Sequence, residues 1–189
     1  MEYPYSLITI GASAGGLRPV IEIISKLPSH KHAFIVFVPH LFASHKSNLN
    51  TILAKFTSMC VKKAEQGEHL KPDRIYLLPE NKIMTVKDGC LLLRERKANE
   101  IVNKAIDIFL SSAALDAKNK AICIILSGAG NDGLLGAKEI HKHHGLVIVQ
   151  DPKTAEFPYM PEAIISGDSP DAILTPEEIA KLIVNYKIP

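Results

Sequence analysis

Three short polar stretches follow three apolar runs, and together they hold the side-chain types that a hydrolytic triad requires. Gly11-Ala12-Ser13-Ala14-Gly15-Gly16 follows residues 6–10, Pro39-His40 follows 33–38, and Ser127-Gly128-Ala129-Gly130-Asn131-Asp132-Gly133 follows 121–126. A serine hydroxyl can act as a nucleophile. An imidazole titrating near neutrality can take its proton and return it, and a carboxylate can orient that imidazole and balance its cation. Ser13 has the most specific surroundings, because glycines at 11 and 15 let a strand turn sharply into a helix and expose the hydroxyl. The N-terminus of that helix would stabilise a developing oxyanion. A phosphate-binding or purely structural turn explains the same glycines equally well. Taken alone, His40 reads as a structural histidine and Asp132 as a helix N-cap. What links them to Ser13 is position, since sites in doubly wound sheets form beyond the carboxyl ends of the strands. The order Ser13, His40, Asp132, with the turn after the first strand, differs from the serine, acid, histidine order of α/β-hydrolases.

The elements that would position these residues follow from apolar patterning. Runs 6–10 and 33–38 read as buried strands, and 17–27 reads as a helix with Val20, Ile23, Ile24 and Leu27 on one face, stopped by Pro28. Residues 47–56 form a second expected helix, with Leu49, Ile52, Leu53 and Phe56 on one side. Strand, helix, strand, helix indicates a parallel sheet with crossovers. Short strand-like runs at 61–65, 74–78, 82–86 and 90–93 then mark an antiparallel insertion or a sheet edge, with Asp88-Gly89 as a hairpin turn. A long helix is expected over 98–117, its inward face carrying Ile101, Ala105, Ile108, Phe109, Ser112 and Leu115. Strand 121–126, a helix to about His143 and strand 146–150 resume the alternation. Thr175-Pro176-Glu177-Glu178 is a capped helix start.

Other readings compete for some of these residues. Gly128-x-Gly130-x-x-Gly133, between an expected strand and helix and about 20 residues before Asp151, fits a dinucleotide fingerprint, so a non-catalytic or dinucleotide-binding domain is the alternative. Asp132 counts against it, because it would set a negative charge where the pyrophosphate should sit. His141-Lys142-His143-His144 resembles a metal tract but lacks a clear further ligand and suits a helix C-terminus, where cations are favoured. Cys123 reads as a buried apolar side chain, and Arg94-Glu95-Arg96-Lys97 as a solvated turn.

Composition bounds the remaining possibilities. The 189 residues correspond to one domain at about 150 residues each. With 22 basic and 20 acidic side chains the formal charge is +2, which supplies no concentrated basic face for nucleic acid or an acidic membrane. Cys60, Cys90 and Cys123 have no CxxC or disulfide-framework spacing and suit a reducing cytoplasm. No signal peptide and no apolar run near the ~20 residues of a membrane span is present in the sequence. We therefore expect a cytoplasmic location, no nucleic-acid partner and no direct membrane insertion.

Taken together, Ile10-Gly11-Ala12-Ser13-Ala14-Gly15-Gly16, Val38-Pro39-His40, 126–133, Gln150-Asp151-Pro152 and Pro158-Tyr159-Met160-Pro161 resemble the catalytic domain of the chemotaxis protein-glutamate methylesterases, the CheB family, over essentially the whole chain. The resemblance implies an α/β fold of Rossmann-like, doubly wound type: a mainly parallel sheet with helices on both faces and an antiparallel hairpin region at about 60–94. It implies hydrolysis of γ-glutamyl methyl esters on chemoreceptors, with glutamine deamidation in some relatives. Ser13, His40 and Asp132 would be the triad; the Ala129 N–H would help form the oxyanion hole, Ala14 and Gly15 would line the site, and the loop around Met160 would border it. No cofactor and no metal are implied. The expected partners are the cytoplasmic helices of methylated chemoreceptors, with a separate regulator or methyltransferase, since 1–189 reads as a single catalytic domain without the family's usual N-terminal receiver. The segments His45-Lys46-Ser47 and 154–158 look closer to relatives fused to the methyltransferase. Pro39, Ala14, Ala129 and Tyr159 stand where the family usually has glutamine, threonine, methionine and glycine.

Overall fold

A strand covered on both faces needs an unbroken apolar run, and β1 (Ser6–Ala12) is such a strand, with all seven residues buried in a computed structural model that describes residues 3–29, 33–40, 47–97, 100 and 102–185. β1 pairs in parallel with β2 (Ala33–Pro39) on one side and β8 (Ala121–Ile125) on the other. Beyond β2 lie β5 (Arg74–Leu77) and β3 (Cys60–Lys63); beyond β8 lie β9 (Leu146–Gln150) and β10 (Ala172–Leu174), all in parallel. The chain therefore leaves the centre in one direction and returns on the other side of β1. The switch point falls between β1 and β8, where the crossovers diverge and leave a crevice at the carboxyl ends.

Alternation along the strands divides the core. Phe34, Val36 and Val38 of β2 and Cys123 and Ile125 of β8 face α3 (Ala105–Ala117), α4 (Leu134–Lys142) and α5 (Tyr159–Gly167). Ile35, Phe37, Ile122 and Ile124 face α1 (Leu17–Ser25), α2 (Leu49–Leu53) and α6 (Pro176–Asn185). Val20, Ile23, Ile24 and Leu27 are buried as their spacing predicts. Cys123 is fully buried, and desolvation raises its thiol far above the ordinary range, so it packs as an apolar side chain.

Region 60–94 contains both a sheet edge and an antiparallel insertion. β3 and β5 extend the main sheet, whereas β4 (Glu68–His69), β7 (Cys90–Glu95) and β6 (Lys82–Lys87) form a separate antiparallel sheet. Asp88 and Gly89, at φ 51° and 71°, make the tight turn between β6 and β7. That turn is clamped to α3: the Asp88 and Gly89 N–H groups donate to the Asp116 carboxylate at 2.7 and 3.0 Å, and the Tyr3 hydroxyl donates to it at 2.6 Å.

Several element limits differ from the sequence expectation. α3 begins at Ala105, because the Asn103 side chain accepts the Ala105 N–H (3.1 Å) and starts the helix there; Ala98, Asn99 and Ile101 lie outside the described residues. Leu115, expected on the inward face, is 63% exposed, since the buried stripe runs through Ile106, Phe109, Leu110, Ala113 and Ala114. The helix expected over 47–56 is α2 alone, followed by i→i−3 bonds at Lys55 and Phe56 that tighten its last turn; Ile52 and Phe56 are exposed. His45 and Lys46 are outside the described residues. Arg94 and Glu95 end β7 rather than forming a turn, and Arg94 pairs with Glu100 (2.6 Å). α5 and β10 are not signalled by apolar periodicity, although Pro161 in the first turn of α5 loses no backbone hydrogen bond. Thr175 and Glu178 form the expected reciprocal cap, with the Glu178 N–H donating to Thr175 Oγ1 (3.3 Å) and the Thr175 N–H to Glu178 Oε2 (2.9 Å). Among the described residues no helix is long and apolar enough to cross a membrane.

The histidine tract has a structural role at its first member, and carboxylates do approach it, contrary to the sequence expectation. His141 sits between Asp168 (2.8 Å) and Asp171 (3.0 Å), tying α4 to the segment that leads into β10. No group of His, Cys, Asp and Glu that could hold a metal ion is found among the described residues. Burial opposes the charge of His141, but hydrogen bonds to Asp171 and Asp168 outweigh it and raise the imidazole above its ordinary value. These pairs therefore stabilise the fold fully below pH about 6.5 and lose that contribution as pH rises through the higher folded value. Urea unfolding should show His141→Gln less stable than wild type by about 0.5–1 kcal/mol at pH 5.5. The difference should narrow by pH 9.

Candidate active site

Ser13 occupies the turn between β1 and α1. Its N–H donates to Ser127 O (3.0 Å) across the switch point, and Gly16, the α1 N-cap, donates to Ser13 O (3.0 Å). Gly15 takes φ +70° within this turn, a conformation that disfavours a side chain. Ser127 braces it from the β8 side: its hydroxyl donates to Ala14 O (2.8 Å) and accepts from the Phe157 N–H (3.0 Å). The Ser127 N–H in turn donates to Gln150 Oε1 (2.9 Å) at the end of β9. Neither Ser127 nor Gln150 stands out in the sequence as a support for this turn.

His40 emerges from the end of β2. Its N–H donates to Ala12 O (3.0 Å), continuing the β1–β2 register by one residue and setting it across from the Ser13 turn. Nε2 of its ring lies 2.6 Å from Asp132 Oδ2. The side chains are 16% and 4% exposed, so this pair is largely withdrawn from water. With Nε2 facing the carboxylate, Nδ1 is the ring nitrogen left for a second partner.

Asp132 does not cap its own helix, as the sequence had suggested; Gly133 is the N-cap of α4. Its carboxylate instead caps α3, with Oδ2 accepting the Ile106 N–H (3.0 Å) and Oδ1 the Asp107 N–H (2.9 Å). Asp107 returns the arrangement, its Oδ1 accepting the N–H groups of Gly133 (2.8 Å) and Gly136 (3.0 Å) in the first turn of α4. Lys104 Nζ reaches both Asp107 Oδ2 and Asn131 Oδ1 at 3.3 Å. Gly11 lets α3 come this close, since a side-chain carbon there would lie 2.7 Å from the Ile106 side chain. Burial raises Asp107 above the ordinary carboxylate range, and the nearby Asp132 charge adds to the effect. Burial also works against the charge of Asp132, but its hydrogen bonds to His40, Asp107 and Ile106 prevail and hold it below that range. In the sequence Asp107 looks like one charge in a long helix, and nothing there connects it to Asp132.

The rest of the site surrounds Ser13. Among the described residues, none hydrogen-bonds the N–H groups of Ala14, Gly15 or Ala129, while the Gly128 N–H is taken by Phe157 O (2.9 Å). Met160 is the second residue of α5 rather than part of a loop, and it is fully buried. A side-chain carbon on Gly128 would lie 2.0 Å from Met160 Sδ and 3.0 Å from Ser13 Cβ, so these three residues meet. Tyr159 is exposed beside them. The Gly128–Gly133 turn is thus occupied by Met160 and Phe157 O, with Asp132 committed to His40 and α3, which disfavours the dinucleotide alternative. A cleft of about 420 Å³ opens from Ser13 along α1, past Leu17, Arg18 and Ile21, with Glu156 opposite.

Comparison with known proteins identifies the family and the fold. The family model for CheB methylesterase matches residues 8–183. A putative protein-glutamate methylesterase/protein-glutamine glutaminase of Leptospira interrogans is 34% identical over 181 residues, covering 95% of this chain and 94% of that protein. The protein-glutamate methylesterase/protein-glutamine glutaminase of Thermotoga maritima is 33% identical over 185 residues, covering 94% of this chain but 54% of that protein. The crystal structure of the Thermotoga maritima CheB methylesterase catalytic domain superposes with a TM-score of 0.87 at 31% identity, covering 96% of this chain and 98% of that one.

The reciprocal capping gives a measurable expectation. Asp107→Ala leaves two buried N–H groups of α4 unsatisfied and should lower the unfolding free energy by about 2–4 kcal/mol. Asp107→Asn keeps an acceptor oxygen and should lose less than half of that, as read from urea unfolding at pH 7.

Proposed function

The chain belongs to the CheB methylesterase family, and we propose that it is a serine hydrolase that removes γ-glutamyl methyl esters from the cytoplasmic helices of chemoreceptors. The observation that carries this reading is the withdrawn His40–Asp132 pair, 2.6 Å apart, at the strand end next to Ser13. Ser13 Oγ attacks the ester carbonyl while His40 Nδ1 takes its proton. Asp132 holds the ring by Nε2 and balances the imidazolium that forms. The carbonyl oxygen becomes an oxyanion, received by the N–H of Ala129, with Ala14 and Gly15 lining the same side and the α1 N-terminus adding its positive end. Collapse of the tetrahedral species expels methanol, which takes the proton back from His40. Water then enters by the same general-base route, frees Ser13 and leaves a glutamate carboxylate. A glutamine side chain can follow the same steps with ammonia leaving, the second activity for which the relatives are named.

The supporting residues share the work in this reading. Ser127 and Gln150 fix the Ser13 turn, and Met160 closes it from the α5 side. Asp107 fixes the loop that carries Asp132. All steps use side chains and backbone N–H groups of this chain, and residues 1–189 act as a single catalytic domain. A separate regulator or methyltransferase would then be met through its surface.

Methanol release from methylated receptor tests the reading. Wild type should release methanol, and Ser13→Ala should be slower by ~10³-fold or more. Asp132→Asn, which keeps the shape but loses the charge, should also lose at least ~10³-fold, chiefly in kcat. A fluorophosphonate probe should label wild type and leave Ser13→Ala unlabelled. Equal methanol release by wild type and Ser13→Ala would exclude the mechanism.

A further inference from the structure

The floor of the Ser13 cleft continues beyond the reacting residue. Arg18 lines the 420 Å³ cleft with Ser13 and also a second trough of about 600 Å³, which adds Glu22, Lys153 and Glu177. The acids of that trough are largely spoken for. Glu22 lies 3.8 Å from Lys26, and Glu177 lies 3.2 Å from Lys181 and 3.6 Å from Lys26. The side chains of Arg18 and Lys153, by contrast, have no ion pair or hydrogen bond among the described residues, and neither does that of Glu156. The unpaired charges are therefore two cations and one anion, and the cation nearer the serine is Arg18. It stands in the first turn of α1, where the helix dipole also favours an anion. Leu17 and Ile21, one turn apart on the same helix, give the cleft its apolar wall.

We propose that Arg18 is a specificity-determining residue that binds a free carboxylate lying one helical turn from the ester being cleaved. The inference rests on the esterase reading above and extends it to the neighbourhood of the ester. Ser13 and Arg18 line one cleft, and side chains one turn apart on a helical substrate lie ~5–6 Å from each other. A guanidinium meets a carboxylate through two parallel N–H···O bonds, so an acid is recognised where its uncharged amide is not. The preferred substrate is an acidic helical segment rather than any exposed methyl ester. Because hydrolysis itself produces a carboxylate, cleavage of one ester turns a neighbour one turn away into a better substrate.

The test uses synthetic helical peptides, each with one glutamate γ-methyl ester and either glutamate or glutamine one turn before or after it. The readout is the ratio of kcat/KM, by methanol release, between the glutamate and glutamine members of each pair. Wild type should prefer glutamate by roughly three- to tenfold on at least one side, mainly through KM, with the preference shrinking as salt rises. Arg18→Gln should bring the ratio to about 1, and Arg18→Glu should invert it; a merely structural role for Arg18 would lower both rates alike and leave the ratio unchanged. A wild-type ratio of 1 on both sides, or a preference that survives in Arg18→Gln, overturns the inference while leaving the esterase reading intact. No methanol from any peptide with wild type overturns both.

Discussion

Two helices enter the site only because each supplies the acid that satisfies the other's first turn. A helix start leaves several N–H groups without internal partners, and burying such a start without acceptors is costly. Asp132, before α4, accepts the Ile106 and Asp107 N–H groups of α3, and Asp107 accepts those of Gly133 and Gly136 in α4. The α3 start can therefore be buried against β1 and the α4 start against β8, and both carboxylates gain from the positive helix ends they face. A by-product of this closure is that Asp132 has one orientation, and His40 meets it at Nε2. The carboxylate that faces His40 is thus fixed first as a structural cap.

The sheet topology supplies the other half of the arrangement. Because β1 lies between β2 and β8 at the switch point, the loops after all three strands converge on one end of the sheet. The Ser13 N–H bonds to Ser127 O and the His40 N–H to Ala12 O, so the main chain itself sets these loops in register. Little is left to side-chain adjustment. Ser127 finishes the task by bonding to the backbone of both Ala14 and Phe157, which joins the β1, β8 and α5 sides of the site.

What the sequence discloses follows from the range of the interaction involved. β1, β2 and β8 are buried on both faces, so continuous apolar runs reveal them, and Asp88-Gly89 marks its turn because a local backbone conformation demands those residues. The gathering of Ser13, His40 and Asp132 at one sheet edge follows from strand order alone. Features that depend on distant partners are hidden. Asp107 is 25 residues from Asp132, and its role exists only once α3 and α4 pack. β3 and β5 are short and half exposed in part, and their patterning does not distinguish the edge of a parallel sheet from an antiparallel insertion. The first residue of α3 is set by a single side-chain acceptor at Asn103, which apolar periodicity does not register.

Placing two carboxylates this close in a buried setting costs energy, and the way the cost is shared protects the site. Both are opposed by desolvation, yet their partners differ. Asp132 has His40 in addition to two N–H donors, whereas Asp107 has two N–H donors and Lys104, which also bonds to Asn131. The result is a raised Asp107 beside a lowered Asp132, so on acidification the first proton goes to Asp107. A protonated Asp107 keeps the Oδ1 lone pairs that accept from Gly133 and Gly136, and it relieves the repulsion on its neighbour. The charge facing His40 is then the last of the pair to be lost. In this fold a second acid, buried for structural reasons, takes up a proton before the carboxylate that faces His40 does.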